Sequence, residues 1–388
     1  MLFRSDAIIS VGDASIIEKY NADHGTSYVP LSPENVSVND GGLVVVFEGE
    51  SKSDPIEVTI TTDESMSQNV TYAFPLQVTS TTKGVHSGTD HIVFVKNCKG
   101  KKFASSAKPS GIKLFSCMET GSTNPLFHKS FMLEKSGLPL FDVVILFSAK
   151  IVYDEEECRL KIWNTPAISG IIQSDVVQQL HDYGMKVVIS VLGSDEAGVA
   201  HLTDAACRTF AQEIANYCEA YDLDGVFFDD EYTYSWNHPG LTSPSTDRAA
   251  RLCFETKMAM PDKMVTCYIY SRTYGFYKKI EGMEPGDFVD YAISDYGSWD
   301  YEDCYLGMER NQVAPCSANF AYSYARWTAT QNNLQRVRNE GFGGFMVYCL
   351  TFHVADVWNR EMESLRNIAK YLYDDNLVFT GEKPETTW

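Results

Sequence analysis

The chain contains no run of ~18 apolar residues, so none of it reads as a membrane-spanning helix. Basic side chains are scarce: 32 Lys and Arg face 52 Asp and Glu, for a net charge of −20 and a pI near 4.8. A surface that acidic repels phosphate backbones and anionic lipid, which disfavours nucleic-acid and membrane-surface binding and favours a neutral substrate. Cys98, Cys117, Cys158, Cys207, Cys218, Cys253, Cys267, Cys304, Cys316 and Cys349 include no CxxC pair, excluding a zinc ribbon or a thioredoxin-type motif. Cys267 and Cys349 sit in apolar runs and read as plain buried thiols. His128, His181, His201 and His353 lack metal-ligand spacing and read as surface or satisfied residues, so neither metal nor cofactor is expected. The opening, Met1-Leu2-Phe3-Arg4-Ser5-Asp6, lacks the hydrophobic stretch of a secretory leader. Two expectations stay open: a cytoplasmic protein, or one whose leader lies outside this chain.

What is present is enough for two domains, since 388 residues exceed the comfortable size of one core. The first hundred residues alternate strand-like runs with turns. Leu43–Phe47, Ile56–Ile60, Tyr72–Val78 and His91–Asn97 are rich in β-branched and aromatic residues, and Gly, Asp, Ser and Asn separate them. An amphipathic stretch, Ala14–Asn21, precedes them. This predicts a small all-β sandwich over residues 1–100, with Lys99–Ser110 as linker.

Beyond residue 105 the rhythm becomes alternating α/β. Nearly continuous apolar strands are predicted at Gly111–Ser116, Phe141–Phe147, Lys186–Val191, Asp224–Glu231, Met264–Tyr270, Phe288–Ser294, Ala318–Tyr322 and Gly344–Leu350. Helices are predicted over Ser174–Tyr183 and from Thr203, where Phe210, Ile214, Tyr217, Cys218 and Tyr221 share a face. A closing helix carries Trp358, Met362, Leu365, Ile368 and Leu372. About eight strands alternating with helices over 105–388 have the length of a (β/α)8 TIM barrel. A doubly wound open sheet is the alternative, and no Gly-rich phosphate fingerprint supports it.

Catalytic groups of such a barrel sit at the C-terminal strand ends. The fourth strand ends in Asp229-Asp230-Glu231. Alternation puts Phe227, Asp229 and Glu231 on one face and Phe228 and Asp230 on the other. Two carboxylates at i and i+2 lie roughly 7 Å apart at the backbone, near enough for one to hold a sugar while the other donates a proton. Close placement pushes their pKa values apart. An acidic strand end with no chemistry is the plain alternative. A sequence with 22 Tyr, 21 Phe and 6 Trp has aromatics to spare for stacking on apolar sugar faces.

Asp224-Gly225-Val226-Phe227-Phe228-Asp229-Asp230-Glu231-Tyr232 resembles the signature strand of family 18 glycoside hydrolases, and most closely the endo-β-N-acetylglucosaminidase branch typified by endoglycosidase H. Val187–Gly193 on the preceding strand resembles that branch's version of a second family motif. The resemblance implies hydrolysis of the GlcNAc-β1,4-GlcNAc bond in N-linked glycans, assisted by the substrate's own acetamide, with retention. It implies Glu231 as general acid and then base, Asp229 as the residue orienting the acetamide, and no metal. Phe227 replaces the family's middle aspartate, so Asp229 must find its hydrogen bond elsewhere, with Ser190 as candidate. The resemblance further suggests Tyr296, after Asp295, as the acetamide clamp, with Tyr268 and Tyr291 as alternatives. Tyr232, Trp299, Gly193 and Tyr348 are candidate substrate contacts. A chitinase of the same family, which usually keeps the middle aspartate, is the competing reading. A non-catalytic glycan-binding barrel is the third. The segment Ile17–Tyr28 and its following strands resemble the β-sandwich domain preceding catalytic modules in surface glycan-degrading proteins of Bacteroides-type bacteria. That similarity implies export to the cell surface or periplasm and a lipid anchor outside this chain.

Overall fold

The computed structural model describes residues 5–386 except 25, 51, 62–65, 67–70, 86–90, 97–102, 297–298, 300–303, 322–328, 352–354 and 382. Asn97, Cys98, Lys99–Lys102, Tyr322 and His353 therefore lie outside the described residues. The chain divides into two compact units, 1–100 and 101–388.

In the first unit, Ser5–Val11 lies between Leu43–Val46 and Thr71–Thr79, antiparallel to both. His91–Lys96 pairs on Thr71–Thr79, which Val29–Pro30 joins in parallel. A second, two-stranded sheet pairs Val36–Val38 with Val58–Ile60. Leu31, Met66, Phe74 and Val95 are buried where side chains of both sheets meet. Ser5–Val11 escaped the sequence reading because its apolar residues do not alternate cleanly, and its partners are what make it a strand. The helix Ser15–His24 buries only Ile17.

The second unit is a barrel. Its parallel strands are β1 (Lys113–Glu119), β2 (Val143–Asp154), β3 (Lys186–Leu192), β4 (Gly225–Asp229), β5 (Met264–Ile269), β6 (Tyr291–Ser294), β7 (Val313–Ala314), β8 (Ser317–Asn319) and β9 (Gly344–Tyr348). β9 pairs with both β8 and β1, so the sheet returns on itself and the open doubly wound alternative is excluded. Among the described residues β7 pairs with β6 alone and β8 with β9 alone, and a bridge from Tyr296 to Ser317 joins the halves. Together the two short pieces fill one stave.

Period-2 alternation splits the core in two. Phe115, Val143, Ile145, Val188, Phe227, Tyr268, Ile293 and Met346 fill the barrel interior. Leu114, Val144, Leu146, Val187, Ile189, Val226, Phe228 and Val347 face outward against the helices. The helix Asp204–Ala220 starts at its cap, where Thr203 accepts the Ala206 N–H. Phe210, Ile214 and Cys218 form its buried face. Met362, Leu365, Ile368 and Leu372 do the same for Ala355–Tyr373. The predicted helix Ser174–Tyr183 is shorter, Val176–His181, and follows an unread helix, Pro166–Gln173, that begins with Pro just inside a Thr165 cap. β2 also outruns its prediction, because Arg159–Trp163 folds back antiparallel on it. Cys267 is buried as expected, whereas Cys349 is only half-buried, and the described cysteines are free thiols.

A buried ion pair ties the segment before β1 to the barrel. Lys108 Nζ lies 2.8 Å from Asp142 Oδ2, which also accepts the Leu114 N–H at 2.8 Å. Asp142 Oδ1 accepts the Ser106 hydroxyl at 3.2 Å. Burial pushes the lysine down and the aspartate up in pKa, so the pair is held by mutual attraction against desolvation. Asp142→Ala, which strands the lysine, should destabilise the barrel by about 3–5 kcal/mol in urea unfolding.

His128 is fully buried, with Nδ1 2.7 Å from the Pro125 carbonyl and Nε2 2.7 Å from Ser116 Oγ. Burial lowers its pKa from 6.5 to about 4. The unfolded chain therefore binds a proton over this interval that the folded protein refuses. The stabilisation is complete above pH 6.5 and fades as pH falls toward 4. Moving from pH 7.5 to 5 should cost about 2 kcal/mol through this residue alone. His128→Gln should flatten that part of the pH dependence of the urea midpoint, and an unchanged slope would refute it.

Candidate active site

The fourth strand is held at its base before it presents anything at its tip. Asp224 Oδ2 accepts the Val187 N–H and faces His181 Nε2, each at 2.8 Å, locking β4 to β3. Gly225 has φ of 153°, and a Cβ there would meet the Met264 carbonyl at 2.0 Å, so only glycine lets β4 enter beside β5. From that base the alternation runs as read from sequence. Phe227, Asp229 and Glu231 line one cavity of about 330 Å³ at the C-terminal mouth, and Asp230 lines a different one.

Asp229 is 3% exposed, and its Oδ1 has no hydrogen-bond partner. Desolvation first, and then the charge of Glu231, hold its carboxyl well above the usual range. Half-buried Glu231 is raised too, by its own desolvation, while its hydrogen bond with Asp229 pulls the other way. Of the two hydrogen-bonded acids, Asp229 is the one held protonated the more firmly. Beneath them Phe227 offers no third oxygen.

Tyrosines and two further carboxylates complete the cavity. Tyr268 Oη donates to Asp295 Oδ1 at 2.6 Å, and the Tyr296 N–H donates to the same atom at 2.6 Å. Tyr348 Oη donates to Glu119. The Tyr296 ring lies 6.2 Å from Tyr268 and 5.5 Å from Tyr348, so the three phenols form one wall. Burial raises the pKa of each phenol, keeping all three as neutral donors. Tyr232, with φ of 62° and 56% exposure, stands at the rim.

The structure thus gathers Glu231, Asp229, Tyr296, Asp295, Tyr268, Tyr348 and Tyr232 around one space. Tyr291 instead sits low in the barrel, packed on Phe115. Three expected contacts fail. Ser190 lies opposite Phe227 in the β3–β4 register, two residues below Asp229, and its hydroxyl has no hydrogen-bond partner, so it does not hold Asp229. Trp299 packs on Phe342, with the Arg336 guanidinium 4.0 Å above its ring, and does not line the cavity. Gly193 is absent from the lining as well; a Cβ there would meet the Glu231 carbonyl oxygen at 2.1 Å, so its smallness serves the backbone of the acid. Sequence reading missed Glu119, Asn319 and Tyr270, which also line the cavity. Glu119 carried a usable signal, a charged residue closing the apolar run of β1. His201 is neither surface nor satisfied: it is 3% exposed and neither ring nitrogen has a hydrogen-bond partner.

A larger cavity, about 970 Å³, opens at the opposite end of the barrel, lined by Lys108, Tyr291, Phe342 and Asp375 among others. Its two buried charges are already engaged: Lys108 with Asp142, and Asp375 with the N–H groups of Lys135, Ser136 and Asn376. The mouth cavity, with its raised acid pair, is the one equipped for chemistry. Among the described residues no three His, Cys, Asp or Glu side chains are disposed to hold a metal ion, and no helix is long and apolar enough to cross a membrane.

A closed parallel barrel with paired carboxyls and tyrosines at its mouth is the arrangement a glycoside hydrolase uses. Comparison narrows the class. The chain is 37% identical over 322 residues to endo-β-N-acetylglucosaminidase F1 of Elizabethkingia meningoseptica, covering 81% of this chain and 94% of that one. An endo-β-N-acetylglucosaminidase of Flavobacterium sp. (strain SK1022) matches at 27% identity over 55% of this chain and 68% of its own length. The solved structure of Bacteroides thetaiotamicron EndoBT-3987 in complex with a Man9GlcNAc2Asn substrate aligns at a TM-score of 0.67 and 27% identity, covering 99% of this chain and 92% of that one. Residues 6–85 match a family model described as an N-terminal domain. The chain belongs to the endo-β-N-acetylglucosaminidase family.

If Gly193 serves the Glu231 backbone, Gly193→Ala should lower kcat at least tenfold and lower the melting temperature as well, with KM changed less than threefold in the fraction that folds. A mutant that loses substrate affinity instead would assign Gly193 to sugar binding.

Proposed function

We propose that the protein hydrolyses the GlcNAc-β1,4-GlcNAc bond in the core of N-linked glycans, leaving one N-acetylglucosamine on the asparagine. The supporting observation is the placement of Asp229 and Glu231 side by side above Phe227, in one cavity of about 330 Å³ walled by tyrosines. The 37% identical relative and EndoBT-3987, solved with a Man9GlcNAc2Asn substrate and with a Man5GlcNAc product, support the substrate class.

In this reading the sugar to be cleaved lies in the mouth cavity with its acetamide over Asp229. Glu231 gives its proton to the glycosidic oxygen as the C1–O bond breaks. The acetamide carbonyl oxygen attacks C1 from the other face, giving an oxazolinium ion, so no protein nucleophile is needed. Asp229, ionised as the pair's proton passes to Glu231, accepts the acetamide N–H and balances the positive charge. Tyr296 steadies the carbonyl oxygen, while Tyr268 and Tyr348, each anchored to a carboxylate, fix the wall. Water then attacks C1, Glu231 takes its proton, the ring opens back to the acetamide, and configuration is retained.

The reading extends to localisation. An enzyme for glycans on exported proteins works outside the cytoplasm, and a lipid anchor upstream of this chain would hold it at the surface. Cell fractionation of the native producer tests this, and activity confined to the cytosol would refute it.

Incubation with a high-mannose glycoprotein and, separately, chitin oligomers, followed by mass spectrometry, tests the activity. The expected product is protein bearing a single N-acetylglucosamine; cleavage of chitin oligomers alone would make the enzyme a chitinase. Glu231→Gln should lower kcat by at least 10³-fold and leave glycan binding intact. Asp229→Asn should suppress cleavage of intact glycan while still accepting a preformed glycan oxazoline. Full-rate cleavage by Asp229→Asn would rule out assistance by the acetamide.

A further inference from the structure

Away from the mouth cavity, two thiols touch each other. Cys253 Sγ lies 3.4 Å from Cys267 Sγ, and both side chains are buried. Cys253 stands on the buried face of the helix Thr246–Ala259, beside Ala249, Ala250 and Leu252. Cys267 lies within β5, where alternation turns it outward to the helices while Tyr268, next in the chain, points into the barrel. Helix and strand are consecutive elements, so the contact closes a short stretch of chain between neighbours.

Other described cysteines are placed differently. The thiols of Cys158, Cys207 and Cys218 face backbone carbonyls at 3.4, 3.9 and 3.6 Å, which occupy them as weak donors. Cys253 and Cys267 end on one another instead. A disulfide is about 2.05 Å long, so the two sulfurs need to close by only ~1.4 Å. Rotation about χ1 moves a sulfur further than that.

We propose that Cys253 and Cys267 join in a disulfide when the chain folds in the presence of a disulfide donor, stapling the helix Thr246–Ala259 to β5. One cysteine thiolate attacks a sulfur of the donor, whose S–S bond breaks and releases one thiol. The second cysteine thiolate then attacks the mixed disulfide and releases the other. The two cysteines give up two protons and two electrons, and the donor disulfide takes both and becomes two thiols. Burial, and then the thiol of Cys267, holds the Cys253 thiol well above its ordinary range. The thiolate that exchange requires is therefore scarce in the finished barrel, and the bridge closes while the chain is still folding.

The staple lies beneath a functional turn. Tyr305 Oη meets the Cys267 thiol and donates to the Thr273 carbonyl. The Thr273 hydroxyl in turn reaches the carbonyls of Tyr268 and Tyr270 at 2.6 and 2.7 Å. Both tyrosines line the mouth cavity, so the bridge would secure the strand end that carries them.

The test produces the full chain in the reducing cytosol and in the oxidising periplasm of one bacterial host. Both preparations are denatured, alkylated and digested, and their peptides are mapped by mass spectrometry. Periplasmic protein should show Cys253 and Cys267 unalkylated, in joined peptides about 2 Da lighter than their sum. Its melting temperature should exceed that of cytosolic protein by about 5 °C, and dithiothreitol should remove the difference. Cys253→Ala and Cys267→Val, each suited to its helix or strand, should lose the response to dithiothreitol. The wild-type peptide map decides even where a variant fails to fold. Full alkylation of both cysteines in folded periplasmic protein would overturn the proposal, as would a bridge through Cys304. So would a melting response to dithiothreitol that persists in Cys253→Ala.

Discussion

Two carboxyl groups stand hydrogen-bonded to each other at the mouth of this barrel, and burial raises the pKa of both. Asp229 could not be buried as an isolated charge, because desolvation of a carboxylate costs several kcal/mol. Its burial is tolerable because it keeps a proton and hydrogen-bonds to Glu231. Phe227 below gives no competing acceptor, and the phenols of Tyr268 and Tyr348 are committed to Asp295 and Glu119. Of the two acids, Asp229 is buried and Glu231 stands at the more open end.

Holding two acids within reach needs a rigid frame, and closure of the barrel supplies it. β9 pairs on both sides, and the split stave of β7 and β8 is stitched to Tyr296 by its bridge to Ser317, so a residue lining the mouth cavity is itself part of the closure. Packing reinforces this from inside and outside at once. Alternate residues of each strand fill the interior around Phe115, Phe227 and Met346 or face the helices. Glycine at 225 and at 193 marks where backbones approach too closely for any side chain, first at the base of β4 and then behind the acid. The first unit has its own small core of Leu31, Met66, Phe74 and Val95.

The placement of Glu231 between two cavities gives the mouth a direction. One side is lined by Asp229, Asp295 and the tyrosines 268, 296 and 348; the other is lined by His201, Asp230 and Arg272. Strand alternation makes this division, since consecutive residues Asp229, Asp230 and Glu231 must face opposite ways. An acidic triplet that looks redundant in sequence is in space a partition.

Much of this was legible in the chain itself. Apolar runs at 186–191, 224–231 and 264–270 announce strands buried on both faces, and the spacing of Phe210, Ile214 and Cys218 announces a helix, because local periodicity survives folding unchanged. Asp229 and Glu231 could be placed on one face for the same reason. What the chain could not show were relations between segments distant in sequence. Ser5–Val11 became a strand only between its partners. Ser190 and Trp299 looked like contacts until register and packing turned them elsewhere, and Gly193 proved to serve backbone approach. Glu119 and Tyr348, 229 residues apart, meet only because the last strand returns to the first. His201 was unremarkable until burial left its ring without partners. Periodicity is written in neighbouring residues, whereas closure, register and the desolvation of a single side chain depend on the whole fold.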